Sequence, residues 1–294
     1  MPHLENCAAR PAPPGLASAM ARVLREAADQ AVMPRFGRLA QGDVEEKSPG
    51  ELVTIADREA EQIIAAGLAT LRPGARFVGE EACAREPALL EALDKGEVWI
   101  VDPIDGTGNY AAGREPFGLM AALVQEGETI AACVLDPVHG RVMTAERGAG
   151  AWCGGERMGS AFGAASLPTC TGIVSAFQRP DTLSAKLTAL SKQVADIAPS
   201  QRCAAAEYPL IALGERDFAL YWRTLVWDHA AGALIVEEAG GKVARLDGTP
   251  FRASDPRNNP GSTKGGDTGP NASGAILVAR TPELWDQIAA TLSR

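Results

Sequence analysis

The residues best equipped for chemistry stand together in VWIVDPIDGTGNY, Val98 to Tyr110, where Asp102 and Asp105 close an apolar run that reads as a buried strand. Two carboxylates at the mouth of such a strand repel one another, and one of them would have to take up a proton. A divalent cation removes that conflict. Mg²⁺ favours hard oxygen ligands and keeps waters and substrate phosphate in its octahedron, so clustered Asp and Glu without His or Cys suit it better than zinc. Pro103 keeps the backbone before it extended, and Gly106 permits a tight turn. The N–H groups of Gly106 and Thr107 are then able to face an anion at a helix start.

Three further acids sit where an element begins or ends. Asp57 lies at the front of the helical stretch that follows LVTIAD, Glu80 ends the short strand FVGEE, and Asp228 opens the helix WDHAAGALIVEEA. Taken singly, Asp57 and Glu80 read more readily as surface charges. Asp228 reads equally well as a carboxylate at the positive end of its helix dipole.

The elements that must position these acids follow from periodicity. A first helix is expected from Leu16 to about Ala40, weakened late by Pro34 and Gly37, and a second up to Leu71 with Ala60, Ile64 and Leu68 on one side. After the opening stretch come strands at Gly118–Val124, Thr129–Leu135, Arg141–Glu146 and Ala151–Cys153, an antiparallel meander. The second half alternates. Strands are expected at Ile173–Phe177, Phe218–Tyr221, Lys242–Leu246 and Ala275–Ala279, with helices at Asp181–Val194, Ala204–Leu213, Trp227–Ala239 and Pro282–Leu292.

This divides the chain into a proline-rich, disordered leader (1–15), an N-terminal α+β half carrying the metal residues (16–160), and a C-terminal α/β half (161–294). The Gly, Pro, Asn and Ser content of 253–274 predicts a mobile loop. KGGDTG within it lacks the P-loop spacing and the strand-to-helix setting of a phosphate loop.

Composition narrows the function. The chain has 294 residues, 46% apolar and 22% charged, as expected of a soluble globular protein. Its net charge of −9 argues against nucleic acid or an anionic membrane as partner. Six cysteines without C-x-x-C spacing predict reduced, mostly buried thiols and a cytoplasmic protein. The start lacks the pattern of a secretory signal, and no run approaches membrane-spanning length.

KSPGELVTIAD, GEE, WIVDPIDGTGNY and WDHAAGALIVEEAGG, in that order from Lys47 to Gly241, resemble the inositol monophosphatase family of Mg²⁺-dependent, lithium-sensitive phosphomonoesterases. The resemblance implies a five-layered αβαβα sandwich of the sugar-phosphatase type, an α+β or α/β fold, acting as a homodimer on a small phosphorylated metabolite. It implies that Glu80, Asp102 and the carbonyl of Ile104 hold one metal, and that Asp102, Asp105 and Asp228 hold a second. A third, weaker ion is expected near Glu80, and Mn²⁺ could replace Mg²⁺. Thr107, bonded to Asp57, would help Glu80 orient and deprotonate the attacking water, while the amides of Gly106 and Thr107 grip phosphate.

Departures from the family pattern concern the substrate. Tyr221 stands where inositol-specific members carry a glutamate that touches sugar hydroxyls, and RCAAAEY (Arg202 to Tyr208) replaces a Gly-Ser/Thr-Ala-Ala segment. Arg202, Ala204, Tyr221 and Arg223 are therefore the substrate-side candidates, and they fit core or rim positions as well. An aromatic ring with Arg202 or Arg223 would favour a ring-bearing or additionally anionic substrate. The rival substrates are histidinol phosphate, a 3′-phosphoadenosine nucleotide and a fructose bisphosphate. The rival of another class is a non-catalytic, metal-binding regulatory protein. His229 is expected to pack beside the site, and Trp227 to belong to the core.

Overall fold

The computed structural model describes residues 15–159, 166–175, 181–258 and 274–293. The expectations for the leader, for KGGDTG and for most of the 253–274 loop lie outside the described residues. Helix α1 (Leu16–Ala27) continues into a π turn (Ala28–Val32) and a 3₁₀ turn (Met33–Arg35), so the expected helix to about Ala40 ends early. Pro34 has no N–H for an α-helical bond, and the altered turns accommodate it. Strands β1 (Val44–Ser48) and β2 (Glu51–Thr54) form a hairpin that the sequence reading did not foresee, closed by Pro49 and by Gly50 at φ +82°. Helix α2 (Ile55–Leu71) follows directly, started by a capping box between Thr54 and Asp57.

The next run builds a seven-stranded sheet. It contains β3 (Arg76–Gly79), β4 (Glu97–Asp105), β5 (Gly118–Gln125), β6 (Glu128–Asp136), β7 (Arg141–Glu146), β8 (Gly150–Cys153) and β9 (Glu156–Arg157), neighbours in that order. β3 is parallel to β4, and the rest is the expected antiparallel meander. Two short helices interrupt it, α3 (Glu80–Arg85) and α4 (Thr107–Ala111).

A five-stranded sheet follows, from β10 (Thr171–Val174), β11 (Asp196–Pro199), β12 (Phe218–Tyr221), β13 (Lys242–Arg245) and β14 (Ile276–Ala279), in the order β11-β10-β12-β14-β13. β11 was unforeseen; it is a short edge strand, where Pro199 costs no ladder bond. The helices between are α5 (Asp181–Ser191), α6 (Ala204–Ala212), α7 (Val226–Glu238) and α8 (Pro282–Ser293).

Alternation along the strands sorts the core into layers. Trp99 and Val101 of β4 pack with Met20, Leu24, Ile64 and Leu68 of α1 and α2. Val98 and Ile100, on the opposite face, join Tyr208 and Ile211 of α6 and Leu234 and Ile235 of α7. That helical layer also covers Ala219 and Tyr221 of β12 and Ile276 and Val278 of β14. The other face of the small sheet, Phe218, Leu220 and Leu277, meets Leu187 of α5 and Trp285 and Ile288 of α8. The result is the expected αβαβα sandwich. Both sheets are covered on both faces, which is why β4 and β5 read as continuous apolar runs rather than alternating ones.

Cys83, Cys133, Cys170 and Cys203 are free and buried, as expected, whereas Cys153 is disulfide-bonded. No described helix is long and apolar enough to cross a membrane. The central layer is tight where α7 crosses α6: a Cβ added at Gly232 would stand 2.2 Å from the Tyr208 ring. Gly232→Ala should therefore lower the unfolding free energy by about 1–3 kcal/mol, the cost of overpacking. A urea midpoint that falls at constant slope is the expected result, and an unchanged midpoint would contradict this packing.

Candidate active site and metal centre

Asp102 and Asp105 are three residues apart, and on a regular strand that spacing would send them to opposite faces. β4 carries a bulge between them: Asp102 pairs with Met120 and Asp105 with Gly118, so three steps on one strand oppose two on the other. The extra residue restores a common side. Asp228, in the first turn of α7, completes the group. One carboxylate oxygen from each of Asp102, Asp105 and Asp228 lies within 4.8 Å of the others. Asp102 Oδ1 is buried without a hydrogen-bond partner, while Asp105 Oδ2 accepts from the Ala205 N–H at 2.5 Å. Three convergent carboxylates, one with an orphaned oxygen, fit a hard divalent cation.

The electrostatics agree with that fit. Burial, followed by the charges of Glu80, Asp105 and Asp228, holds Asp102 well above the ordinary carboxylate range. Burial pushes Asp105 up to about 7 against the Ala205 and Cys203 hydrogen bonds, and burial with the Asp105 charge raises Asp228. A cation that enters would displace protons.

Gly106 turns the chain just after Asp105, at φ +85°, and a Cβ there would stand 3.0 Å from the Pro116 carbonyl and 3.3 Å from Cys203 Cβ. Thr107 then opens α4, and the first-turn amides of a helix have no partner within it. The Thr107 hydroxyl reaches two acceptors, Asp57 Oδ1 at 3.1 Å and the Ile104 carbonyl at 2.8 Å, but it has one proton and serves one at a time. Asp57 is fully buried, its other oxygen accepting from the Thr54 N–H and hydroxyl. Burial pushes it up to about 7 despite those bonds.

Glu80 lines the same cavity of about 500 Å³ but lies outside the three-carboxylate group. Its Oε1 accepts from Lys47 Nζ at 2.7 Å, and so does Glu81 Oε1 at 2.7 Å. Burial opposes the charge on Lys47, yet the Glu80 and Glu81 carboxylates outweigh it and hold the ammonium above its ordinary value. Lys47 belongs to the β1–β2 hairpin, which is tied to the site at two further points. Arg223 pairs with Glu51, and Arg202 Nη2 donates to the Gly50 carbonyl at 3.4 Å. The sequence reading singled out neither Lys47 nor Glu51; the turn signal SPG between two polar, β-capable runs was the available clue.

Arg202, Ala204, Tyr221 and Arg223 all line this cavity. Tyr221 is buried and stacks on Tyr208, with ring centroids 5.6 Å apart, beside His229 at 5.0 Å. His229 Nε2 lies 3.1 Å from the Arg223 carbonyl, which can only accept, so Nε2 carries the proton and Nδ1 accepts from the Tyr208 hydroxyl at 2.9 Å. That is the packing role expected of it. Trp227 is buried as expected, although it also borders the cavity. Glu207 was not singled out. It is buried yet borders the cavity, and its Oε1 accepts from Ser200 Oγ at 2.7 Å and from the Gln201 N–H at 2.6 Å.

Two measurements follow from this geometry. Asp102→Asn removes one of three mutually repelling charges, so the metal-free variant should melt above the metal-free parent and gain less from added Mg²⁺. A thermal shift equal to the parent's would contradict the cluster. His229 is lowered to about 4, mainly by burial, against an unfolded value near 6.5. Below about 6.5 the unfolded chain binds a proton that the native protein refuses, so this group's contribution falls as pH drops toward about 4. His229→Gln should flatten that part of the stability-against-pH curve, and parallel curves would refute it.

Comparison with known proteins places the chain. The model of the inositol monophosphatase family matches residues 16–291. An inositol-1-monophosphatase of Mesorhizobium japonicum is 34% identical over 238 residues, covering 79% of this chain and 87% of that protein. The Nus factor SuhB of Pseudomonas aeruginosa is 33% identical over 229 residues, 76% and 82% of the two chains. A solved IMPase of Thermotoga maritima superposes with a TM-score of 0.72 at 27% identity, covering 93% of this chain and 94% of its own. This chain therefore belongs to the inositol monophosphatase family, a family of phosphoric monoester hydrolases.

Proposed function

We propose that this protein hydrolyses a small phosphate monoester with Mg²⁺, by direct attack of water and without a covalent enzyme intermediate. The observation that carries the reading is the meeting of the Asp102, Asp105 and Asp228 oxygens with the start of α4 and the Asp57–Thr107 pair at one end of β4. Asp102, Asp105 and Asp228, with Glu80 and the Ile104 carbonyl, are the groups that would hold the ions. Bound there, Mg²⁺ or Mn²⁺ supplies acidity to a coordinated water and counter-charge to the phosphate and the departing alkoxide.

The remaining work falls to the chain itself. The amides of Gly106 and Thr107 donate to phosphate oxygens, and Glu80 orients the water. With its proton directed to Asp57, the Thr107 oxygen accepts from that water. As the new P–O bond forms, the water's proton passes to Thr107 and the Thr107 proton to Asp57, whose carboxyl near 7 suits a base at neutral pH. The bond to the alcohol breaks, and the alkoxide takes its proton from solvent. An inositol phosphate is the default substrate for this family, with histidinol phosphate, a 3′-phosphoadenosine nucleotide and a fructose bisphosphate as its rivals.

Phosphate release measured across those esters tests the proposal. Turnover should require Mg²⁺ and stop with EDTA. Thr107→Ala should lower kcat by about 10²–10⁴, the usual range for a lost proton-transfer group, while Thr107→Ser keeps most of it. If Asp102→Asn retains full Mg²⁺-dependent turnover, the ligand assignment fails, and no release from inositol phosphates would exclude the default substrate.

A further inference from the structure

Glu61 is a buried carboxylate, 4% exposed, that the reaction above does not use. It stands one turn after Asp57 on α2, and residues four apart share a helix face. Its Oε2 accepts from the Glu81 N–H at 2.8 Å, and its Oε1 lies 3.5 Å from Arg85 Nη2. Both contacts are to α3, the short helix that Glu80 opens. Burial raises Glu61 above the ordinary carboxylate range, against the bonds from the Glu81 and Ala82 amides.

The first amides of a helix have no partner within it, and buried ones must find a partner elsewhere. The residue before α3 is Gly79, which has no side chain with which to cap them. It leaves room instead: a Cβ there would stand 2.1 Å from Glu61 Oε2. The start of α3 is therefore held from α2, and α2 is itself fixed by Ala60, Ile64 and Leu68 in the core with Trp99 and Val101 of β4. Asp57, on the same face of α2, accepts from the Thr107 hydroxyl at 3.1 Å. Glu80 and Thr107, the two groups assigned to the attacking water, are thus each hung from one helix by a buried acid.

We propose that Glu61 is a positioning residue for the hydrolysis: by holding the Glu81 amide it sets the place of the Glu80 carboxylate, as Asp57 sets that of the Thr107 hydroxyl. This rests on the phosphatase reading above. Lys47 reaches Glu80 from the β1–β2 hairpin at 2.7 Å, so a cation draws the side chain while Glu61 anchors the backbone beside it. The competing use of Glu61 is to cap α3 for stability alone. Losing such a cap lowers the melting temperature and leaves the turnover of each folded molecule as it was.

Substitutions that differ in reach separate the two. Phosphate release with Mg²⁺ is measured on inositol 1-phosphate, histidinol phosphate, 3′-phosphoadenosine 5′-phosphate and fructose 1,6-bisphosphate, and the fastest of these serves for the variants. Glu61→Ala should lower kcat by about 10–10²-fold, the loss expected when a reacting group is misplaced by about 1 Å, and leave KM near the parent's. Glu61→Gln keeps an acceptor at the same length and should retain most of kcat. Glu61→Asp keeps the charge but is one methylene short, and should lose kcat as Glu61→Ala does. A crystal structure of Glu61→Asp should show the Glu80 carboxylate moved and the Asp57–Thr107 bond intact. Unchanged kcat in Glu61→Asp, equal losses in Glu61→Gln and Glu61→Asp, or an unmoved Glu80 would overturn the inference, whatever the melting temperatures do. If Glu61→Ala does not fold, the order of Glu61→Gln over Glu61→Asp gives the same answer. Absence of turnover on all four esters would instead count against the phosphatase reading, and the place of Glu80 in the Glu61→Asp crystal structure would still decide the positioning role.

Discussion

Repulsion among Asp102, Asp105 and Asp228 is the interaction around which this protein is arranged. Carboxylates that close together in a buried setting oppose folding unless they bind protons or a cation. The fold must therefore hold them in place by other means. It does so with a rigid strand end, a bulge that corrects their orientation, and a helix start delivered from another part of the chain.

The sandwich supplies that rigidity. β4 is central to one core and α7 to the other, and each is covered on both sides. The bulge lies where the strand leaves its ladder, so the regular part of β4 is spared the distortion and the carboxylates receive it. Around this centre the chain sets its cations asymmetrically. Lys47 approaches the glutamates at the start of α3, and Arg202 and Arg223 stand on the wall beside Tyr221, both tied to the β1–β2 hairpin. Negative charge gathers at the three convergent carboxylates, and positive charge on the cavity wall that carries Arg202 and Arg223.

Much of the fold was legible in the sequence because burial on two faces leaves long apolar runs, and the meander of β5 to β8 is separated by clear turn signals. The hairpin and β11 were not legible. VEEKS, ELVT and DIAP are short and polar or proline-bearing, so no hydrophobic period marks them. Likewise Asp57, Asp102, Asp105, Thr107 and Asp228 announced themselves through motif and element ends. Lys47, Glu51 and Glu207 act through contacts with residues distant in the chain, and no local pattern carries that information.

The sequence by itself determined the order of the longer elements, the family and the acidic character of the site, the first through periodicity and the others through short motifs that resemble those of the family. It could not decide that Asp102 and Asp105 share a side, because their separation on a regular strand says the opposite; pairing with β5 creates the bulge. Nor could it decide that Glu80 faces Lys47, that His229 bridges Tyr208 and Arg223, or that Arg202 is left-handed at the cavity wall. Each depends on which groups meet once separate segments are packed together, and hydrogen bonds and charge pairs between remote residues leave no trace in local sequence.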